Sequence, residues 1–120
     1  MINIRVDELA NEIVKAVKEY ATEVEEKTQQ ASDYVTKEGV KLLKQKSPKL
    51  TGDYSKGWTR KKQGNSYIIH NKTDYQLTHL LEYGHAKRGG GRVQPRVHIR
   101  PVEEQIINEF ENMVKKAIKG

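Results

Sequence analysis

The side chains of this 120-residue chain that could do chemistry gather between residues 79 and 101, in HLLEYGHAKRGGGRVQPRVHIRP. Three consecutive glycines, Gly89 to Gly91, sit among Lys87, Arg88, Arg92, Arg96 and Arg100, and His79, His85 and His98 accompany Glu82. His79 and Glu82 lie three apart, which on a helix puts both on one face, and His85 and His98 could join them after folding as ligands to a metal ion. No second pair has ligand spacing, so a metal centre is not expected. His85, just past Gly84, reads as a turn residue, and His79 as a partly buried helix residue. A phosphate loop needs two glycines flanking four residues, then Lys-Ser/Thr at a helix N-terminus. KRGGGRVQPR has neither the spacing nor a following helix, because Pro95 intervenes. Asp53, Asp74 and Glu82 have no evident nucleophile or base, and TGDYS reads as a helix-to-strand turn rather than a nucleophile elbow. Neither an enzyme nor a cofactor is expected. What remains for Lys87, Arg88, Arg92, Arg96 and Arg100 is contact with an acidic protein surface or with nucleic-acid phosphates, or no contact at all in a mobile solvated loop. Residues 84 to 101 have no interleaved aromatics, so base-specific recognition is not expected.

Composition narrows the field further. The chain has no cysteine, which excludes a disulfide framework, thiol catalysis and cysteine-ligated zinc. At 35% hydrophobic and 32% charged it is polar for a single domain of this size, so a core shared with a partner is plausible. No apolar stretch approaches the roughly 20 residues that cross a bilayer, and MINIRVDELA lacks a leader pattern. A soluble protein made in the cytoplasm, without membrane contact, is expected. The net charge of +6 is unevenly placed: residues 47 to 100 hold 11 Lys/Arg against 3 Asp/Glu, whereas residues 1 to 46 hold 8 against 9.

The elements that must position these side chains follow from periodicity. After Asp7, a plausible N-cap, apolar residues recur at helical spacing from Val6 to Leu43, and Pro48 is the first residue that must stop the helix. An unbroken helix from Val6 to Lys46 would be about 60 Å long. The rest of a compact chain of this length spans only about 35 Å and cannot cover it. Either the helix breaks, Gly39 in TKEGV being the place, or its stripe packs on another subunit. TGDYSKGWTRKK and SYIIHN flank Gly64-Asn65, a tight-turn pair, and predict an antiparallel hairpin. Asp74 could cap a short helix from Tyr75 to Tyr83 that ends at Gly84. RVHIR alternates as a strand, and Pro101 opens a last helix with apolar positions Val102, Ile106, Phe110, Met113, Val114 and Ala117. The expected fold is α+β in one domain, residues 1 to 120. It has a long N-terminal helix (1 to 46), a small antiparallel sheet with a hairpin, a short middle helix, a flexible basic loop (85 to 95) and a C-terminal helix packed on the sheet.

The order of a long polar helix, SPKLTGDYSKGW, YIIHNKTDYQLTHLLEYGHA, a glycine-basic loop and PRVHIRPVEEQI resembles the small tail-component or head-tail joining proteins of long-tailed bacteriophages. The similarity spans about residues 30 to 118. It rests most on LLEYGHA, PRVHIRP and the TG pair after the first helix. The resemblance implies a non-enzymatic virion protein without cofactor, a subunit of a ring, usually a hexamer, at the neck where the tail is completed and joined to the head. Its partners would be copies of itself and other connector and tail proteins, with non-specific contact to packaged DNA as a further option. It also implies architectural roles for Thr51 and Gly52, for Leu81, Glu82, Tyr83 and Gly84 at a helix end, and for Pro95, Arg96, His98, Arg100 and Pro101 at a helix entry. A free-standing nucleic-acid-binding protein using residues 87 to 100 is the competing expectation.

Overall fold

The computed structural model describes residues 6 to 120, with side chains from residue 11 onward. The cap expected at Asp7 therefore lies outside the described side chains. Helix α1 runs from Val6 to Lys46, followed by α2 (Asp53–Lys56), β1 (Trp58–Gln63), β2 (Ser66–Asn71), α3 (Leu77–Tyr83), β3 (His85–Ala86), β4 (Arg92–Val93) and α4 (Ile99–Lys119). The fold is α+β, as expected.

Helix α1 passes through Gly39 without a break. The glycine has a different purpose. A Cβ there would lie 2.9 Å from Cδ1 of Ile69 on β2 and 3.1 Å from Cδ1 of Ile106 on α4. Gly39 is thus where the hairpin and the last helix both close onto α1. The propensity lost by glycine in a helix, about 1 kcal/mol relative to alanine, is offset by that approach. The helix ends before Pro48, where Ser47 Oγ donates to the Leu43 carbonyl and accepts the indole N–H of Trp58 at 2.7 Å.

Strands β1 and β2 pair antiparallel from Trp58↔Asn71 to Gln63↔Ser66, around a turn in which Gly64 has φ +59°. Arg60 anchors this hairpin to α1. Its guanidinium pairs with the Asp33 carboxylate at 2.8 Å, donates to the Asp33 carbonyl and Thr36 Oγ1, and lies over the Tyr67 ring at 4.3 Å. The hydrogen bond from Arg60 holds the Asp33 carboxyl below its ordinary range, with Lys37 adding to the effect.

Helix α4 lies antiparallel along α1: Tyr20 donates to the Ile118 carbonyl at one end, and Val102 packs with Leu43 at the other. Around Leu43, Tyr54, Trp58 and Val102 the core adds Val40, Leu42, Ile69, Leu77, Leu81, Ile99 and Ile106. The tyrosine and tryptophan rings meet edge to face, 5.6 Å apart. Helix α4 reaches the sheet through Val102 and Ile106, while the rest of its length follows α1.

Two expected elements come out differently. RVHIR is not a strand: residues 95 to 98 are irregular, and α4 starts at Ile99. Pro101 is the third helical residue, still within the first turn, where its missing N–H leaves no bond unmade. The short helix starts at Leu77 rather than Tyr75, and Asp74 contributes its carbonyl to Leu77 N–H rather than a side-chain cap.

The molecule measures 90 × 23 × 19 Å, with a radius of gyration of 22.4 Å. A compact chain of this length would have about 14 Å. The difference is the N-terminal part of α1, which projects past the end of α4.

Candidate functional site

The residues of the two motifs meet in one buried polar node. Glu82, on the last turn of α3, is 7% exposed. Its Oε1 accepts the backbone N–H groups of His98 and Ile99, and its Oε2 that of Arg100, each at 2.9 Å. One carboxylate therefore satisfies the donors that a helix N-terminus leaves open and places negative charge at the positive end of the α4 dipole. This fixes Ile99 as the start of α4 and prevents RVHIR from continuing as a strand. Burial opposes the charge on Glu82, but the three N–H donors and His98 outweigh it and hold the carboxyl below its ordinary range.

His98 is buried beside it. Its Nδ1 lies 2.7 Å from the Arg96 carbonyl, which can only accept, and 3.3 Å from Glu82 Oε1. Nδ1 therefore carries the proton, and in the neutral ring Nε2 accepts the Tyr54 hydroxyl at 2.7 Å. Burial, reinforced by the charge of Glu82, pushes the Tyr54 phenol up to about 12. The Tyr54 carbonyl accepts from Asn71 Nδ2, whose Oδ1 takes the N–H groups of Thr73 and Asp74. The chain Glu82–His98–Tyr54–Asn71 thus ties α3, the entry of α4, α2 and the end of β2 together. Every potential nucleophile or base in it is committed to a structural bond. Glu82 and His98 do come together, but as cap and lock. No group of three or more His, Asp or Glu is placed to hold a metal among the described residues.

The remaining motif residues lie on the neighbouring turns and helix ends. Gly52, at φ +95°, precedes α2, and its carbonyl accepts Lys56 N–H and the Ser55 hydroxyl; Thr51 is exposed. Leu81 packs on the core. Gly84 ends α3 at φ +72°, and a Cβ there would collide with the Val93 carbonyl and press on Pro95. Pro101 is exposed. His79, expected to be partly buried, is exposed and stacks on Tyr83, with ring centroids 5.9 Å apart. His85 lies half-buried on β3 rather than in a turn, and its Nδ1 finds no hydrogen-bond partner among the described residues.

Between Gly84 and Pro95 the chain forms a small hairpin, with His85↔Val93 and Ala86↔Arg92 paired. Gly89, Gly90 and Gly91 all have positive φ, which explains why the tip uses three glycines in a row. Lys87 and Arg88 stand exposed beside the tip. Arg92 donates to the Tyr83 carbonyl at 2.9 Å, and the Arg96 N–H bonds the Leu81 carbonyl. The five basic residues are therefore spread out: Lys87 and Arg88 at the tip, Arg92 at the base, Arg96 in the irregular segment after the hairpin and Arg100 on the first turn of α4.

Among the described residues, two of the uncovered apolar surfaces lie at opposite ends of the molecule. One is an open groove of about 610 Å³ between α3 and the start of α4, lined by His79, Tyr83, Pro95, Val97, Arg100 and Ile107 among others. The other is the projecting part of α1, where Ile13, Val14, Val17 and Tyr20 are 49 to 60% exposed. No helix among the described residues is long and apolar enough to cross a membrane.

No curated protein and no solved structure gives a significant match to the chain. A family profile does, over residues 7 to 84: HK97-gp10_like, described as "Bacteriophage HK97-gp10, putative tail-component". The match takes in α1, the hairpin and α3 and ends at Gly84, whereas the likeness read from sequence motifs ran from about residue 30 to 118. The capping carboxylate of Glu82 lies inside the matched segment, and the helix entry that it caps lies just beyond. Spanning more than half of the chain, the match makes this protein a member of the HK97-gp10-like family of bacteriophage tail components.

Proposed function

We propose that the protein is a ring-forming structural subunit, sixfold in the assembled particle, that completes the tail of a phage or prophage and joins it to the neck below the head. The observation that carries this reading is the projecting part of α1. Residues 11 to 23 are exposed around the whole helix, including Ile13, Val14, Val17 and Tyr20. An apolar stripe of this kind on a 90 Å rod is suited to burial against another subunit. The committed polar node supports an architectural role, and membership of a tail-component family supports a virion location. The test is electron microscopy of particles from an induced host lacking this reading frame. DNA-filled heads separate from tails are expected, and intact, tailed particles would overturn the reading.

Exposure of Lys87 and Arg88 at a hairpin tip favours a second reading, contact with nucleic-acid phosphates. Arg92 is held by the Tyr83 carbonyl, while Lys87, Arg88, Arg96 and Arg100 are exposed. Affinity for duplex DNA should then fall with a salt slope of about 0.9 per phosphate contacted. Absence of binding at low salt would remove this second reading.

A further inference from the structure

We infer that the tip of the small β3–β4 hairpin is a cleavage site: an endoprotease that selects arginine hydrolyses the Arg88–Gly89 bond, and the cut chain stays folded as two non-covalently joined pieces. Such a protease needs an arginine side chain within reach and a segment that opens across its cleft. The tip offers both. Arg88 is exposed, and Gly89, Gly90 and Gly91 follow it at positive φ. No atom lies within 4 Å of the place a Cβ would take at Gly89 or Gly90, so nothing crowds the bond. The turn is closed by the Lys87 N–H on the Gly91 carbonyl at 3.0 Å and the Gly90 N–H on the Lys87 carbonyl at 3.3 Å, above two paired positions. Opening it breaks few hydrogen bonds and returns to three glycines the backbone freedom that the turn removes.

The other described arginines are held out of such a cleft. Arg60 lies in β1 with its guanidinium on Asp33 and Thr36. Arg92 lies in β4 and bonds the Tyr83 carbonyl. The Arg96 N–H and carbonyl are both engaged, by the Leu81 carbonyl and His98 Nδ1. Arg100 sits in the first turn of α4, and the Pro101 ring crowds the bond that follows it. Hydrolysis at Arg88 adds one water across the amide: the Arg88 carbonyl carbon gains a hydroxyl that ionises to carboxylate, and the Gly89 nitrogen becomes an ammonium group at neutral pH. The contacts that seat α4 do not run through the tip. Val102 stays against Leu43, Ile106 beside Gly39, the Tyr20 hydroxyl on the Ile118 carbonyl, and Glu82 on the N–H groups of His98, Ile99 and Arg100. Covalent continuity is replaced by association under mass action, so α4 becomes exchangeable in the cut protein.

The test treats the full native chain with a small amount of clostripain, an arginine-specific endoprotease, beside an Arg88→Gln variant, and follows the products by mass spectrometry. Among cuts at the described arginines, the one that yields residues 89 to 120 is expected first, and it should be at least about a hundredfold slower in the variant. The two pieces should co-elute with uncut protein on a native sizing column, with helix content unchanged by circular dichroism, and separate in urea. A product starting at Val93 or Val97 that appears earlier would overturn the site, as would an equal rate for Arg88→Gln. Resistance of the native tip under conditions in which the urea-unfolded chain is digested would overturn it too. Pieces that part on the native column would overturn the two-piece fold.

Discussion

Replacing Glu82 by glutamine keeps the shape of the side chain and removes its charge, which isolates what the carboxylate does. In the native protein it accepts three N–H groups at 2.9 Å while 7% exposed. Glutamine offers one acceptor oxygen and turns an NH₂ toward at least one of those donors. One buried N–H then loses its partner, at about 1 to 3 kcal/mol. The remaining bonds lose their ionic character, and the α4 dipole loses a partly buried counter-charge, about 1 kcal/mol more. The sum is about 3 kcal/mol at pH 7, or roughly 10 °C in Tm for a chain of this size. Urea unfolding followed through Trp58, the single tryptophan and a buried one, reads this directly. The pH dependence supplies a sharper criterion. Because the folded carboxyl is held below its ordinary range, its stabilisation is fully present above the unfolded value, about 4.3, and is lost as pH falls through the depressed folded value. The stability curves of wild type and the Glu82→Gln variant should therefore converge in acid. A difference below about 0.5 kcal/mol at pH 7, or one of equal size at pH 3, would refute the capping argument.

The neighbouring lock gives a second expectation: Tyr54→Phe leaves His98 Nε2 without a donor and should cost about 1 to 3 kcal/mol in the same assay. In ultraviolet titration of the native wild type, the Tyr54 phenolate should appear only near pH 12, and that late step should vanish in the Tyr54→Phe variant. Gly84→Ala forces a side chain into φ +72° and against the Val93 carbonyl, so a loss of about 2 kcal/mol or more is expected from thermal melts. Lys87→Ala with Arg88→Ala should change stability by less than about 0.5 kcal/mol, because both are exposed, yet lower the yield of joined particles; unchanged yield would remove the hairpin tip from assembly.

What was legible in the sequence follows the kind of force involved. The hairpin from Trp58 to Asn71, with its Gly64-Asn65 turn, and the apolar stripe of the last helix were readable because alternation and helical spacing are local signals. Gly39 misled because a glycine that breaks a helix and one that admits a neighbour look alike until Ile69 and Ile106 are in place. RVHIR alternates well enough for a strand, but a carboxylate 16 to 18 residues earlier takes its N–H groups and turns the chain into a helix. The pairing of Glu82 with His98 left one faint trace, an acid at the end of an otherwise apolar LLEYG helix. Tyr54 and Asn71, which complete the node, carried none.

The division of labour between the two halves of α1 bears on how such a subunit can project a helix at all. An isolated helix of a dozen residues is marginal in water, because forming its first turn costs more than one hydrogen bond returns. Residues 11 to 23 have no such nucleation to perform. They extend a helix already nucleated where Ala31, Val35 and Leu43 are buried, so each added residue needs only the smaller cost of propagation. The helix runs unbroken through Gly39 and beyond the Tyr20–Ile118 contact, which carries the orientation of the body out to the exposed residues 11 to 19. The body is held by the Glu82–His98–Tyr54–Asn71 bonds and the Arg60–Asp33 anchor together with the apolar core around Leu43, Tyr54, Trp58 and Val102. Docking the exposed apolar stripe of α1 on a neighbour would add stability by mass action. The same contact that builds an assembly would then also bury the apolar stripe that the chain's own core leaves exposed.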